Sequence, residues 1–407
     1  MELKTTRPKH WLDRYFHSIQ TSDFGSMAVV IGLVIIGVIF QFANKNFLTP
    51  LNLTNLMAQI AVIGILSVGI ILVLLIGEID LSVGSVSGAA AAVMAVLITN
   101  YRVSSVAAIL VAILVGFLIG AMQGFFVGKI HVPSFIVTLA GLMIWQGAQL
   151  FILGDQGTIN MRDPFIRSIA NTLIPPWLGW VIGILAVIVV ALTVFRERKN
   201  RQKAGLNNPV PSMAISRLLL IAIAILGAVA LMNFDRNQVP NGKPIQGVPT
   251  SVFIFIVFIV IFDLITRFTR FGRHIYTVGG NAEAARRASI EVDRVRIWVF
   301  ALCSGVAACG GIVAASRLIA VNYGSGGGSL LLSAIAAAVI GGTSLFGGRG
   351  STWAALLGAL VIGSINNGMD LLAFPSSIKL MITGIVLMLA VILDSVSRER
   401  RKRAGKG

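Results

Sequence analysis

The stretch with the strongest chemical character is Ile76-Gly77-Glu78-Ile79-Asp80-Leu81-Ser82-Val83-Gly84-Ser85, which interrupts an apolar tract running from about Leu56 to Ile98. Two carboxylates stand two residues apart, with no Lys or Arg near them in the chain. A carboxylate at membrane depth costs at least roughly 2–3 kcal/mol, so it persists where it faces protein, water or a substrate path. Gly77, Gly84 and Gly88 let the backbone bend and come close to other backbone. One reading is a short turn between two ordinary spans, its acids in water. The other is a discontinuous helix lining a polar cavity. In that reading Glu78, Asp80, Ser82 and Gly84 belong to a substrate path or gate.

Composition says what elements must hold these residues. Hydrophobic residues make up 56% of the chain and charged residues 12%, against about 25% charged in a soluble domain. Mean hydropathy is +0.88. The expected fold is an all-α polytopic membrane protein. Apolar runs predict about twelve spans: 27–43, 56–76, 86–98, 106–127, 133–153, 177–195, 218–233, 251–266, 297–315, 330–346, 352–371 and 376–394. Ten spans with two re-entrant segments is the alternative count. The span at 86–98 is short for a bilayer core needing about 20 residues, which favours a broken helix that borrows length from the Glu78–Ser85 stretch. Forty-three glycines suit close helix packing in a membrane.

The domain reading is a basic cytoplasmic tail at 1–26, one transmembrane domain at 27–394 and a basic cytoplasmic tail at 395–407. No A-x-A cleavage site follows the first apolar run, which is therefore read as a retained span. The net charge of +17 is accounted for by orientation. Twenty-five Lys and Arg fall in the two tails, the turns at Lys129 and Arg349, and the connections 196–217 and 267–296, against seven in the alternate loops. The positive-inside rule then places both termini in the cytoplasm, and no nucleic-acid partner is needed.

A second glycine break lies at 340–351. Ile340-Gly341-Gly342-Thr343-Ser344-Leu345-Phe346-Gly347-Gly348 coincides with residues 76–84 at Ile, Gly, Leu and the last Gly. Paired broken helices in two halves point to a transporter's binding region, which adds Thr343 and Ser344 to the candidate gate. Asn366 and Asn367 are buried-amide candidates that bond either helix to helix or a sugar hydroxyl. In the connection 267–296, Tyr276-Thr277-Val278-Gly279-Gly280-Asn281 predicts a turn. Asn281 caps a helix with Glu283 in its first turn. The alanines 282, 284, 285 and 288 give that helix a small face that another protein can approach.

No catalytic constellation is present in the sequence. The four histidines sit in the N-terminal tail or at span boundaries such as His131, no Cys/His cluster has metal-ligand spacing, and Gly347–Thr352 lacks a P-loop lysine. Cys303 and Cys309 share one apolar span and are expected to be packing thiols.

Five segments together resemble the permease subunits of bacterial ribose/xylose-type sugar ABC importers. They are Glu78–Ser85, Val132-Pro133-Ser134-Phe135-Ile136-Val137-Thr138-Leu139-Ala140-Gly141, Gly279–Arg286, Ile340–Gly348 and Asn367-Gly368-Met369. They occur in order over roughly 52–394. Glu78 before Ile-Asp, the Ser134–Gly141 run and the insert 196–249 look most like the xylose branch. The resemblance implies inner-membrane import of a monosaccharide, D-xylose by that branch, by a homodimeric permease with a cytoplasmic ATPase and a periplasmic sugar-binding protein. ATP and Mg would sit on the ATPase, and this chain would bind no cofactor and do no enzymatic chemistry. The resemblance assigns 279–290 to the helix that receives the ATPase's motion, with Gly279, Gly280, Asn281, Glu283, Ala284, Ala285 and Arg286 as coupling residues. Two departures stand out: Leu331–Ala337 lacks two acids that family members often carry there, and Ser289 replaces the usual glycine before Ile290. The rival reading is a proton-coupled secondary sugar transporter using Glu78 and Asp80. A membrane-embedded enzyme is disfavoured by the missing catalytic set.

Overall fold

The computed structural model describes residues 24–205, 211–240 and 242–403. Most of the proposed N-terminal tail and the end of the C-terminal tail (404–407) lie outside them. The helices are α1 (Phe24–Ala43), α2 (Pro50–Leu75), α3 (Val83–Thr99), α4 (Ser105–Gly128), α5 (Ser134–Leu153), α6 (Pro164–Asn171), α7 (Pro176–Lys203), α8 (Pro211–Met232), α9 (Thr250–Phe268), α10 (Arg270–Gly280), α11 (Ala282–Arg287), α12 (Val292–Leu318), α13 (Ser329–Ile340), α14 (Trp353–Leu371) and α15 (Ser376–Arg403). Strands β1 (Thr158–Asn160) and β2 (Ala320–Asn322) pair antiparallel, Ile159 opposite Val321. Among the described residues nine helices are long and apolar enough to cross a bilayer, and three shorter apolar ones accompany them. The chain is an all-α, multi-pass membrane protein, and each of the twelve apolar runs read from the sequence overlaps a helix, the run at 330–346 passing beyond the end of α13 into the second break.

Contacts divide the chain into two compact units. In the unit containing 173–248, α7 and α8 pack together, and Arg236 is buried against the carbonyls of Met232 and Gly247. Helix α7 continues through Arg196–Lys203, where the sequence had suggested a loop. Basic residues in a last turn complement the negative end of the helix dipole.

The larger unit, 29–172 with 249–407, holds the core. From Ile60 to Leu75 every residue of α2 is buried, as expected of a helix apolar on all sides. Thr49 caps it, accepting from Asn52 N, and Pro50 opens its first turn. Helix α12 is the second buried element. Gly116, Gly120, Gly124 and Gly128 form one stripe of α4 lying on the α12 backbone; a Cβ at Gly124 would come within 2.7 Å of Ile297 Cα. With no hydrophobic force between helices in lipid, such close van der Waals packing does the joining.

Both predicted breaks are present, at 76–82 and 341–352. At 1.5 Å per residue α13 is about 18 Å long and α3 about 25 Å, both short of a hydrocarbon core of about 30 Å. The register that aligned the two breaks does not extend to backbone angles. Gly77 is left-handed at φ +79°, whereas Gly341 is right-handed at φ −65°.

Candidate translocation and coupling site

Three segments distant in sequence meet through glycine backbones where α2 ends. Gly348 N donates to Leu75 O at 2.9 Å. Gly279 lies so close to Leu75 O and Gly348 N that a Cβ there would overlap both. Gly347, at φ +84°, sits against Gly77 N and Gly279 O. The first break, the second break and α10 thus form one joint. Tyr276 ties it further, donating to Gly350 O at 2.9 Å. Burial pushes this phenol up, so it stays protonated and remains a donor. Leu345 N donates to Asp394 of α15 at 3.2 Å.

Glycines 279 and 280 do not form the expected turn. Both continue α10, and Gly279 is small because Leu75 O leaves no room for a side chain. Asn281 caps α11 as expected, accepting from Ala284 N at 2.9 Å. Ala285 is buried, whereas Ala284 and Ala288 are exposed. Glu283 pairs with Arg287 at 3.4 Å. Arg286 turns back to Asp293 at 3.3 Å, where Lys129 and His131 also gather. Ser289 adopts φ +62°, a region that favours glycine.

The two acids of the first break part company. Glu78 is held by Arg296 of α12 at 2.9 Å, with only 16% and 20% of the side chains exposed. The sequence showed no nearby cation, because the partner lies in the first turns of a distant helix. Asp80 is 2% exposed. Its Oδ1 accepts from Ser82 N (2.8 Å) and Ser82 Oγ (2.6 Å), and the buried Cys303 thiol of α12 stands beside the carboxyl. Ser82 Oγ also lies 3.0 Å from the Gln123 amide. Gln123 Nε2 and Trp145 Nε1 are buried without partners among the described residues, and both lie beside Gly141. Turning the Gln123 amide over lets its Nε2 donate to Ser82 and removes a double demand on one hydroxyl proton; oxygen and nitrogen of an amide are assigned by such networks.

Gly84 packs on Gly326 O. Thr343 is buried, its Oγ1 without a partner among the described residues, and Ser344 faces Asp394. Asn367 lies elsewhere. It exchanges two amide bonds with Asn52, at 2.8 and 3.0 Å. Asn52 is at the other end of α2, about 34 Å from Leu75 by helical rise. Of the two alternatives for the Asn367 amide, helix-to-helix bonding is the one seen here, at the far end of α2 from the two breaks. Arg296 and Gln123 were missed as parts of the site, since each read as an ordinary boundary or single polar position.

The chain matches a family model described as the permease component of a branched-chain amino acid transport system, over residues 52–391. It belongs to this permease family. It is 35% identical over 386 residues to the xylose transport system permease protein XylH of Escherichia coli K12, covering 95% of each chain. It is 33% identical to XylH of Haemophilus influenzae, over 92% of this chain and 98% of that one. To the ribose import permease protein RbsC of Bacillus subtilis it is 30% identical, over 89% of this chain and 91% of that one. No solved structure matches the chain significantly.

Proposed function

We propose that this permease is the membrane-spanning subunit of an ATP-binding-cassette sugar importer in a bacterial inner membrane, with D-xylose its substrate. The observation that carries the reading is the glycine joint at Leu75, Gly279 and Gly348. It links an exposed, alanine-faced helix directly to both helix breaks. A cytoplasmic ATPase docking on Ala284 and Ala288 pushes the 279–290 segment, and the breaks bordering Glu78–Gly84 and Thr343–Ser344 move with it. Similarity to XylH over nearly the whole chain supports the substrate. The Lys and Arg asymmetry supports a cytoplasmic position for Gly279–Ile290 and both termini. ATP and Mg belong to the ATPase, a periplasmic binding protein delivers the sugar, and two permease copies enclose the path.

The rival reading makes Glu78 and Asp80 a proton relay. The deep burial of the Asp80 carboxyl favours it, and the 2.9 Å Arg296–Glu78 ion pair, which occupies Glu78 with a fixed cation, disfavours it. Xylose uptake into proteoliposomes separates the two. Uptake requiring ATP, the ATPase and the binding protein is the expected result. Uptake by this chain alone on a proton gradient would overturn it.

A further inference from the structure

Away from the joint, a small open cleft of about 90 Å³ lies between α3, α5 and the loop that leads into α13. Its wall carries hydroxyls, amides and backbone, from Ser85, Gln146, Gln149, Tyr323 and Gly326–Gly328, with Leu142 and Leu331 beside them; no acidic or basic side chain lines it. The loop is held rigidly. Buried Gln149 donates from Nε2 to Asn322 O at 2.8 Å and to Ser325 O at 3.0 Å. Tyr323 donates to Gly154 O. Gly326 and Gly328 adopt φ +76° and +63°, which sets the loop close on α3, Gly326 lying against Gly84 O.

The two glutamines of α5 divide the work. Gln149 builds the wall, whereas Gln146, one turn earlier, is exposed and makes no hydrogen bond among the described residues. Ser85 donates to Ser82 O at 2.9 Å, leaving its oxygen lone pairs for a donor in the cleft. Ser82 is the residue that clamps Asp80. The cleft therefore stands three residues, about 4.5 Å of helical rise, from the first break.

A mainly apolar wall that offers a few amide and hydroxyl groups and no charged side chain suits a neutral polyhydroxy ring. Its hydroxyls need paired hydrogen bonds and its C–H faces need apolar contact, while an anion or cation would be desolvated without a partner. Resting on the importer reading for the nature of the cargo, we infer that this cleft is a low-affinity monosaccharide station on the path, with Gln146 and Ser85 bonding the sugar.

The test is saturation-transfer NMR on the full chain in nanodiscs with D-xylose at tens of millimolar, and with the anion D-xylonate as control. Transfer to the xylose C–H protons is expected, falling at least fivefold in Gln146→Leu and in Ser85→Ala, with none to xylonate. Gln146 is exposed, and the size-exclusion profile of each variant checks that it stays folded. No transfer in the native chain, transfer unchanged in both variants, or equal transfer to xylonate would overturn the cleft assignment. ATP-dependent uptake by the full assembly, measured alongside, judges the importer reading separately. Import with no Gln146-dependent transfer sinks the cleft alone, and transfer without import sinks the importer.

Discussion

Arg296, near the start of α12, holds Glu78, just past the end of α2, in an ion pair of 2.9 Å that is largely screened from solvent. The pair ties the first break to α12, one of the buried helices of the core. Removing one partner of a buried pair costs about 3–5 kcal/mol, and partial exposure reduces this to about 1–3 kcal/mol here. Glu78→Gln and Arg296→Gln should each lower the thermal unfolding midpoint and reduce uptake, and the double variant should cost less than their sum. Additive losses would show that the pair contributes nothing as a unit.

At Gly279 any side chain must displace Leu75 O or Gly348 N. Gly279→Val should separate the breaks from α10. The expected signature is an assembled complex whose ATP hydrolysis no longer drives uptake, with transport down at least tenfold. Normal uptake in this variant would remove the joint from the mechanism.

The Asn52–Asn367 amide pair joins α2 to α14. Leaving one buried amide unpaired costs about 1–3 kcal/mol. Asn367→Leu should therefore lower thermal stability, and Asn52→Leu with Asn367→Leu should recover part of the loss. Its effect on the half-saturating xylose concentration should be small; a large shift with stability unchanged would return Asn367 to the substrate path.

Ser289 is strained at φ +62°. Ser289→Gly should stabilise the connection between α11 and α12 by about 1 kcal/mol, since a left-handed residue with a Cβ costs about that much. Hydrogen exchange at Ile290 N, which donates to Ala285 O, should slow. Faster exchange would show that the serine conformation is favourable.

Much of this was legible in the chain. Hydropathy alone set the class and located all twelve apolar helices, because a bilayer demands long apolar runs whatever their neighbours. Gly77 and the glycines near 341–350 marked both breaks, and Asn281 marked its own helix start, because caps and glycine dihedrals are local. The Gly279–Gly280 turn failed because a glycine needed for close approach has the same letter as one needed for a left-handed angle. Only the tertiary structure decided which. The same holds for polar partners. The sequence singled out Glu78, Asp80 and Asn367 as costly to bury. It could not say that Glu78 meets Arg296, that Asp80 meets Ser82 within its own break, or that Asn367 meets Asn52. Apart from that one local bond, those pairings depend on which helices lie side by side, and that is settled by packing of glycine stripes and buried apolar faces across the whole fold.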